Sequence, residues 1–160
     1  MARRAILLNG PSSSGKSTIA RALRAAGNGV WDVVSIDDHL RMTAEERIWE
    51  DDVYAVSPMI CADAVRALEA GHGVIVDHVI TSGRIFRQTM DALQGAGVLL
   101  VRVTCSREEL IRREAARKNR CPGSAEASLD YLFPQSGYDL TVDTTARLAG
   151  DIAAEILSCL

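Results

Sequence analysis

Apolar residues along this chain gather into five runs of strand length, and each run is followed by a stretch that can form a helix. The runs are Ala5 to Leu8 (AILL), Trp31 to Ile36 (WDVVSI), Val74 to Val76 (VIV), Val98 to Val103 (VLLVRV) and Leu140 to Val142 (LTV). Short, continuously apolar strands alternating with helical segments are the pattern of β-α units around a buried parallel sheet. The pattern predicts an α/β fold of three layers, helix on sheet on helix, with a five-stranded parallel sheet.

Punctuation between the runs predicts where helices start and stop. Ser57 followed by Pro58 offers a cap oxygen and a residue pre-set for a first turn, so a helix is expected from there through MICADAVRALEAG to its glycine. Ser106 and Glu109 read as a capping box ahead of LIRREAARKNR, with Pro122 and Gly123 ending the pattern. A last helix is expected from about Thr145. The most polar stretch, RMTAEERIWEDD, reads as a helical insertion near the entrance to a site.

Composition narrows the function. At 160 residues and 48% hydrophobic, the chain suits one domain with its own core, spanning 1–160. A net charge of −3 argues against a broad basic surface for nucleic acid. The apolar runs are too short for a membrane span and the N-terminus lacks the form of a leader peptide, so a cytoplasmic protein is expected. Cys61, Cys105, Cys121 and Cys159 are widely spaced and have no histidine at metal spacing, which predicts free thiols. His39, His72 and His78 are isolated, and none supports a catalytic triad.

The first run carries the chemistry. It ends in GPSSSGKST, in which Gly10, four intervening residues, Gly15, Lys16 and Ser17 lead into a helical segment. That is the pattern and context of a P-loop. Glycines let successive N–H groups turn inward as an anion cradle, and the helix N-terminus adds its positive dipole end. The nucleotide site is therefore expected from Gly10, Pro11, Ser12, Ser13, Ser14, Gly15, Lys16, Ser17 and Thr18. Lys16 would face the phosphates and the Ser17 hydroxyl would ligate Mg²⁺. Lysine is rare here, with only Lys16 and Lys118 against sixteen arginines, which makes its place in the loop more pointed.

Other residues decide what kind of P-loop protein this is. Asp37, after the second strand, stands at the sheet edge where such folds bind ligands and could accept a proton from an acceptor hydroxyl. Asp77 closes VIVDH in a Walker-B-like position and is a second candidate for holding Mg²⁺. Arg113, Arg117 and Arg120 are spaced to share one helical face, and the segment from about 112 to 130 reads as a lid that neutralises phosphoryl charge over ATP. No N-K-x-D stretch or D-x-x-G switch supports a GTPase. An ATP-dependent kinase for a small hydroxylated molecule leads, with Asp37, Lys16, Arg113 and Arg120 as catalytic candidates. A metabolic kinase of the shikimate, gluconate or nucleoside type, and a module that binds ATP without turnover, remain as alternatives.

With ILLNGPSSSGKS, Asp37, VIVDHV, the Arg113, Glu114, Arg117, Arg120 pattern and GYDLTVDTT in view, the chain resembles the chloramphenicol phosphotransferase family of small P-loop kinases over most of its length. The resemblance implies transfer of the γ-phosphate of ATP to an antibiotic hydroxyl, with Asp37 as base, Ser17 on the metal, and VDTT, including Asp143 and Thr144, near the adenine. The segment from Asp37 to Asp77 is shorter than in the chloramphenicol enzymes. That segment, with an acceptor-binding part at about 38–60, offers Trp49, Tyr54 and Met59 as apolar walls and Glu45, Glu46, Asp51 and Asp52 as acidic groups.

Overall fold

The structure, a computed structural model, describes residues 4–160. Its five strands are β1 (Ala5–Asn9), β2 (Trp31–Ser35), β3 (Gly73–His78), β4 (Val98–Thr104) and β5 (Leu140–Asp143). All pair in parallel in the order β2-β3-β1-β4-β5. The five predicted strands are thus found, each within two residues of its expected bounds. Five helices lie between them, α1 (Lys16–Ala26), α2 (Glu50–Glu69), α3 (Gly83–Ala92), α4 (Arg107–Ala115) and α5 (Ser124–Asp130), and α6 (Ala149–Leu157) follows the last strand.

Alternation along the strands divides the core between the two faces of the sheet. Ala5, Leu7, Val74 and Val76 pack with Ile60 and Ala64 of α2 and Ile85 of α3. Ile6, Leu8, Ile75 and Val101 pack with Ile19 and Leu23 of α1 and Ile152 and Ile156 of α6. Leu7, Leu8, Ile75 and Leu99 have no measurable exposure, so each contributes about the 1.5–3 kcal/mol of a fully buried aliphatic side chain. Because both faces are covered, the Ala5 to Leu8 part of β1 reads as continuously apolar, which is why it was legible as a strand.

Three helix boundaries differ from expectation. α2 starts at Glu50, and Pro58 lies inside it with Ser57 buried rather than capping. Glu50, Asp51 and Asp52 fill the first turn with charge suited to a helix N-terminus, and the Asp52 carboxylate accepts the Trp49 N–H at 2.8 Å. That start outweighs the single ladder hydrogen bond that Pro58 cannot donate. Accordingly, 41–49 is irregular chain and the expected helical insertion is not formed. α4 does begin with Ser106 accepting the Glu109 N–H, but it ends at Ala115. Glu114 turns inward there and accepts the N–H groups of Gly123 at 2.9 Å and Ala125 at 2.7 Å. Arg117 and Arg120 therefore lie in a loop tied at its base by Glu114, and the shared helical face does not exist. Finally, α6 begins at Ala149, because Thr145 is held by the Asp143 carboxylate through both its N–H and its hydroxyl.

β1 reverses the direction of strand order, with β3 on one side and β4 on the other. Ligand crevices in open α/β sheets form outside the carboxyl ends of strands at such a point. Gly10 follows directly, and a Cβ there would stand 2.2 Å from the Val103 carbonyl oxygen. We expect Gly10→Ala to cost about 2 kcal/mol or more through overpacking, and to lower the melting temperature by roughly 4–8 °C. A variant that melts with the parent chain would contradict this close approach.

Candidate active site

The loop from Gly10 to Gly15 turns on two left-handed residues, Ser13 at φ 66° and Gly15 at φ 96°. A non-glycine residue in that region is costly by about 1 kcal/mol or more, and such strain gathers where backbone N–H groups have to be aimed. Ser14 is fully buried, and its hydroxyl has no partner among the described residues. Lys16 opens α1, is 5% exposed, and donates to the Pro11 carbonyl at 2.8 Å. Burial pushes its ammonium below the ordinary lysine value, while Asp77 and then Asp37 act in the opposite direction.

One turn of helix aligns the candidate metal site. Ser17, second in α1, donates its hydroxyl to Asp77 at 2.6 Å, and Ser35 at the end of β2 donates to the same oxygen at 3.3 Å. Two hard oxygen groups beside a phosphate cradle suit Mg²⁺, which takes most of its remaining ligands from phosphates and water. No cluster of three acidic, histidine or cysteine side chains at metal-binding distance occurs among the described residues. Ser17 and Asp77 would thus hold the ion, whose contribution would be to draw charge from the phosphate oxygens.

Asp37 sits in the short 3-10 turn Ile36–Asp38, which Ser35 caps by accepting the Asp37 N–H at 3.3 Å. His39, next along, is 2.7 Å from Asp63 of α2, so the turn is moored to that helix. The Asp37 carboxylate meets the loop after α4: Arg120 donates to its Oδ2 at 2.9 Å, and Arg117 is 4.0 Å from the same atom. Arg117 also reaches the Ser13 hydroxyl at 3.4 Å. Burial, followed by the neighbouring Arg120, lowers the Arg117 pKa.

Arg113 is placed differently. It donates to Glu109 at 2.9 Å, to the Ser14 carbonyl at 3.3 Å, and to the hydroxyl and carbonyl of Thr144 at 2.9 Å each. Thr144 in turn donates to the Ser14 carbonyl at 2.6 Å. Arg113 and Thr144 therefore bolt α4 and the end of β5 to the P-loop, and both line the groove beside it. Asp143 is committed to Thr145 and lies outside the lining of the groove, where Arg147 and Leu148 take part instead.

Two cavities meet at these residues. A groove of about 910 Å³ runs over Ser12, Ser13, Lys16, Ser17 and Thr18 between Asp77 and the arginines. Beside it, a second cavity of about 390 Å³ is lined largely by apolar groups, including Met42, Ile48, Trp49, Val53, Val79 and Tyr131. Ser12 and Arg120 border both. Of the expected walls only Trp49 faces the second cavity. Tyr54 is under the Arg84 guanidinium, and Met59 lies outside the lining. Of the acidic groups, Glu46 lines it, Asp51 pairs with Arg84, Asp52 caps α2, and Glu45 lies outside it.

Several contributors were not singled out from the sequence. Ser35 could have been, since a serine two residues before an aspartate after a strand is a capping signal. Asn9, which accepts the Ile80 N–H and donates to the Phe133 carbonyl and Tyr138 hydroxyl, gives no such local sign. Nor does Ser128, whose hydroxyl accepts the Ser12 N–H at 2.9 Å from α5. His78 is buried beside Asp77, where burial and then Lys16 push it to about 4 and keep it neutral, while His72 pairs with Asp32 at the surface. All four cysteines are free thiols.

This fold, a five-stranded parallel sheet with a P-loop at the switch of strand order, defines the P-loop kinase class. Within that class, the chain belongs to the chloramphenicol phosphotransferase-like family, whose model matches residues 3–160. A Mycobacterium tuberculosis protein named "Putative O-phosphotransferase Rv2636" is 31% identical over 178 aligned positions, covering 94% of this chain and 79% of that one. Among solved structures, the Mycobacterium tuberculosis APS kinase CysC in complex with AMPPNP and APS superposes with a TM-score of 0.73 at 16% identity, over 98% of this chain and 96% of that one. The Deinococcus radiodurans tunicamycin resistance protein does so at 0.69 and 20% identity, over 99% and 95%. No described helix is long and apolar enough to cross a membrane.

Hydrogen bonds from Arg112 and then Arg113 lower the Glu109 carboxyl to about 2 from its ordinary 4.5. A carboxyl depressed by folding stabilises the native chain at pH above about 4.5, and that contribution disappears as pH falls toward 2. Glu109→Gln is expected to make acid unfolding shallower across that window, as followed by circular dichroism. An unchanged acid limb would contradict the ties of Glu109 to Arg112 and Arg113.

Proposed function

We propose that the chain is an ATP-dependent O-phosphotransferase whose acceptor is an uncharged, apolar-bodied alcohol, with an antibiotic as the leading candidate. The observation that carries this reading is the junction of the P-loop groove with a mainly apolar cavity, where Arg120 borders both and is paired with Asp37 on the groove side. ATP would lie in the groove with its phosphates over residues 10–18, and Thr144, Arg147 and Leu148 would flank the base.

In the transfer, Asp37 orients the acceptor hydroxyl and receives its proton. The hydroxyl oxygen bonds to the γ-phosphorus as the bond to the ADP oxygen breaks, giving a phosphate monoester and ADP. A loose transition state asks little of the base and much of positive charge around the transferring group. Lys16, Arg117 and Arg120 supply that charge, and Arg113 holds the loop and lid in register. In this reading the chain forms one functional unit, with the acceptor part at about 38–60 and the lid at about 112–130.

The family's name and the likeness to a tunicamycin resistance protein support an antibiotic acceptor. Charge supports it over an anionic metabolite such as shikimate or gluconate. Of the basic groups bordering the cavity, Arg120 is paired with Asp37, and Arg47 sits over the Trp49 ring at 5.2 Å. A sugar acid would also face Glu46.

Release of ADP should be stimulated by one or more of chloramphenicol, nucleoside antibiotics and other neutral alcohols, but not by sugar acids. Asp37→Asn should lower kcat by about 100-fold or more. Trp49→Ala should instead raise the acceptor KM, by about tenfold, with little change in kcat. Full transfer by Asp37→Asn, or stimulation only by anionic acceptors, would reject the proposal.

A further inference from the structure

Two groups assigned to opposite sides of the reaction are bound to each other. A base needs a free carboxylate oxygen for the hydroxyl proton, and a charge-stabilising arginine needs free donors for phosphate oxygens. In the structure, Arg120 gives an N–H to Asp37 Oδ2 at 2.9 Å, another to the Asn119 carbonyl at 3.0 Å, and leaves its buried Nε without a partner. Its side chain is 4% exposed, and that of Asp37 39%. An arginine this buried cannot exchange its carboxylate for water, so it keeps Asp37 until another anion takes its place.

The surroundings give it somewhere to go. Arg120 borders both cavities, and it lies in the loop that Glu114 ties only at the base. Arg117, between Ser13 and Asp37, already spans the same distance from carboxylate to P-loop. Phosphates on the P-loop would therefore compete with Asp37 for both guanidinium groups.

We propose that the Asp37–Arg120 pair is a latch between the two sites: nucleotide phosphates draw Arg120 off Asp37, which frees the carboxylate for the acceptor hydroxyl. The latch rests on the assignment of Asp37 to the acceptor side. It makes nucleotide binding break an ion pair, so the pair opposes nucleotide binding and nucleotide favours acceptor binding. Removing the Asp37 charge should then tighten nucleotide binding even as it abolishes transfer.

The test is calorimetric binding of AMPPNP with Mg²⁺ to the full chain, with no acceptor present. Asp38→Asn serves as the control, because Asp38 lines the same groove and its carboxylate has no ion pair among the described residues. Asp37→Asn should bind AMPPNP about fivefold or more tighter than Asp38→Asn does. In an Arg120→Gln background that advantage should vanish, because the partner is gone. Equal tightening by the two aspartate variants, or the same gain with and without Arg120, would overturn the latch. If Arg120→Gln does not fold, the comparison of the two aspartate variants decides alone. The base assignment is read separately: transfer retained by Asp37→Asn removes the base, whereas lost transfer without tightening removes only the latch.

Discussion

The close approach of backbone to backbone at the end of the central strand governs the rest of the site. Gly10 leaves no room for a side chain beside the Val103 carbonyl, and from there the chain must curl through Ser13 and Gly15 in left-handed conformations to reach Lys16. That curl aims the loop's N–H groups and sets the first turn of α1. It thereby fixes Ser17 within hydrogen-bond reach of Asp77 on the neighbouring strand. A cradle of this kind is strained and polar, and the structure stabilises it from outside. Arg113 and Thr144 hold the Ser14 carbonyl, and Ser128 holds the Ser12 N–H.

The same bracing explains why five arginines of one region divide into separate tasks. Arg107 and Arg112 are spent at the surface on Glu126, Asp130 and Glu109, where ion pairs add little stability. Arg113 is spent on geometry. Only Arg117 and Arg120 converge on Asp37 beside the P-loop. Charge density alone would treat the run RREAARKNR as one basic patch. Its chemistry depends on Glu114 ending the helix, because two backbone N–H groups satisfied by one buried carboxylate stabilise a loop in place of another helical turn.

How far the sequence disclosed this follows from what each feature depends on. The strands and the P-loop were legible because apolar continuity and glycine placement are local consequences of burial and backbone sterics. Helix limits were less so. Pro58 looked like a start because the sequence does not show that α2 already has three acidic residues and a capped first turn upstream. Thr145 looked helical until Asp143 claimed it. Asn9 and Ser128 act on segments more than a hundred residues away, so no local pattern could reveal them.

The apolar cavity shows the limit most clearly. Its walls come from the irregular chain before α2, from α2 itself, from the end of β3 and from α5. Tyr54 and Met59 were expected as walls from the 38–60 segment, but both lie in α2 and outside the lining of this cavity. Met42, Ile48 and Tyr131 replace them, the last just after α5 and some seventy residues later. The segment that carries Arg120 runs on into Cys121, Ser124, Ala127 and Tyr131 of this cavity's wall, so the groove and the apolar cavity have a boundary in common. The groove and the apolar cavity therefore share one short loop, anchored by Glu114.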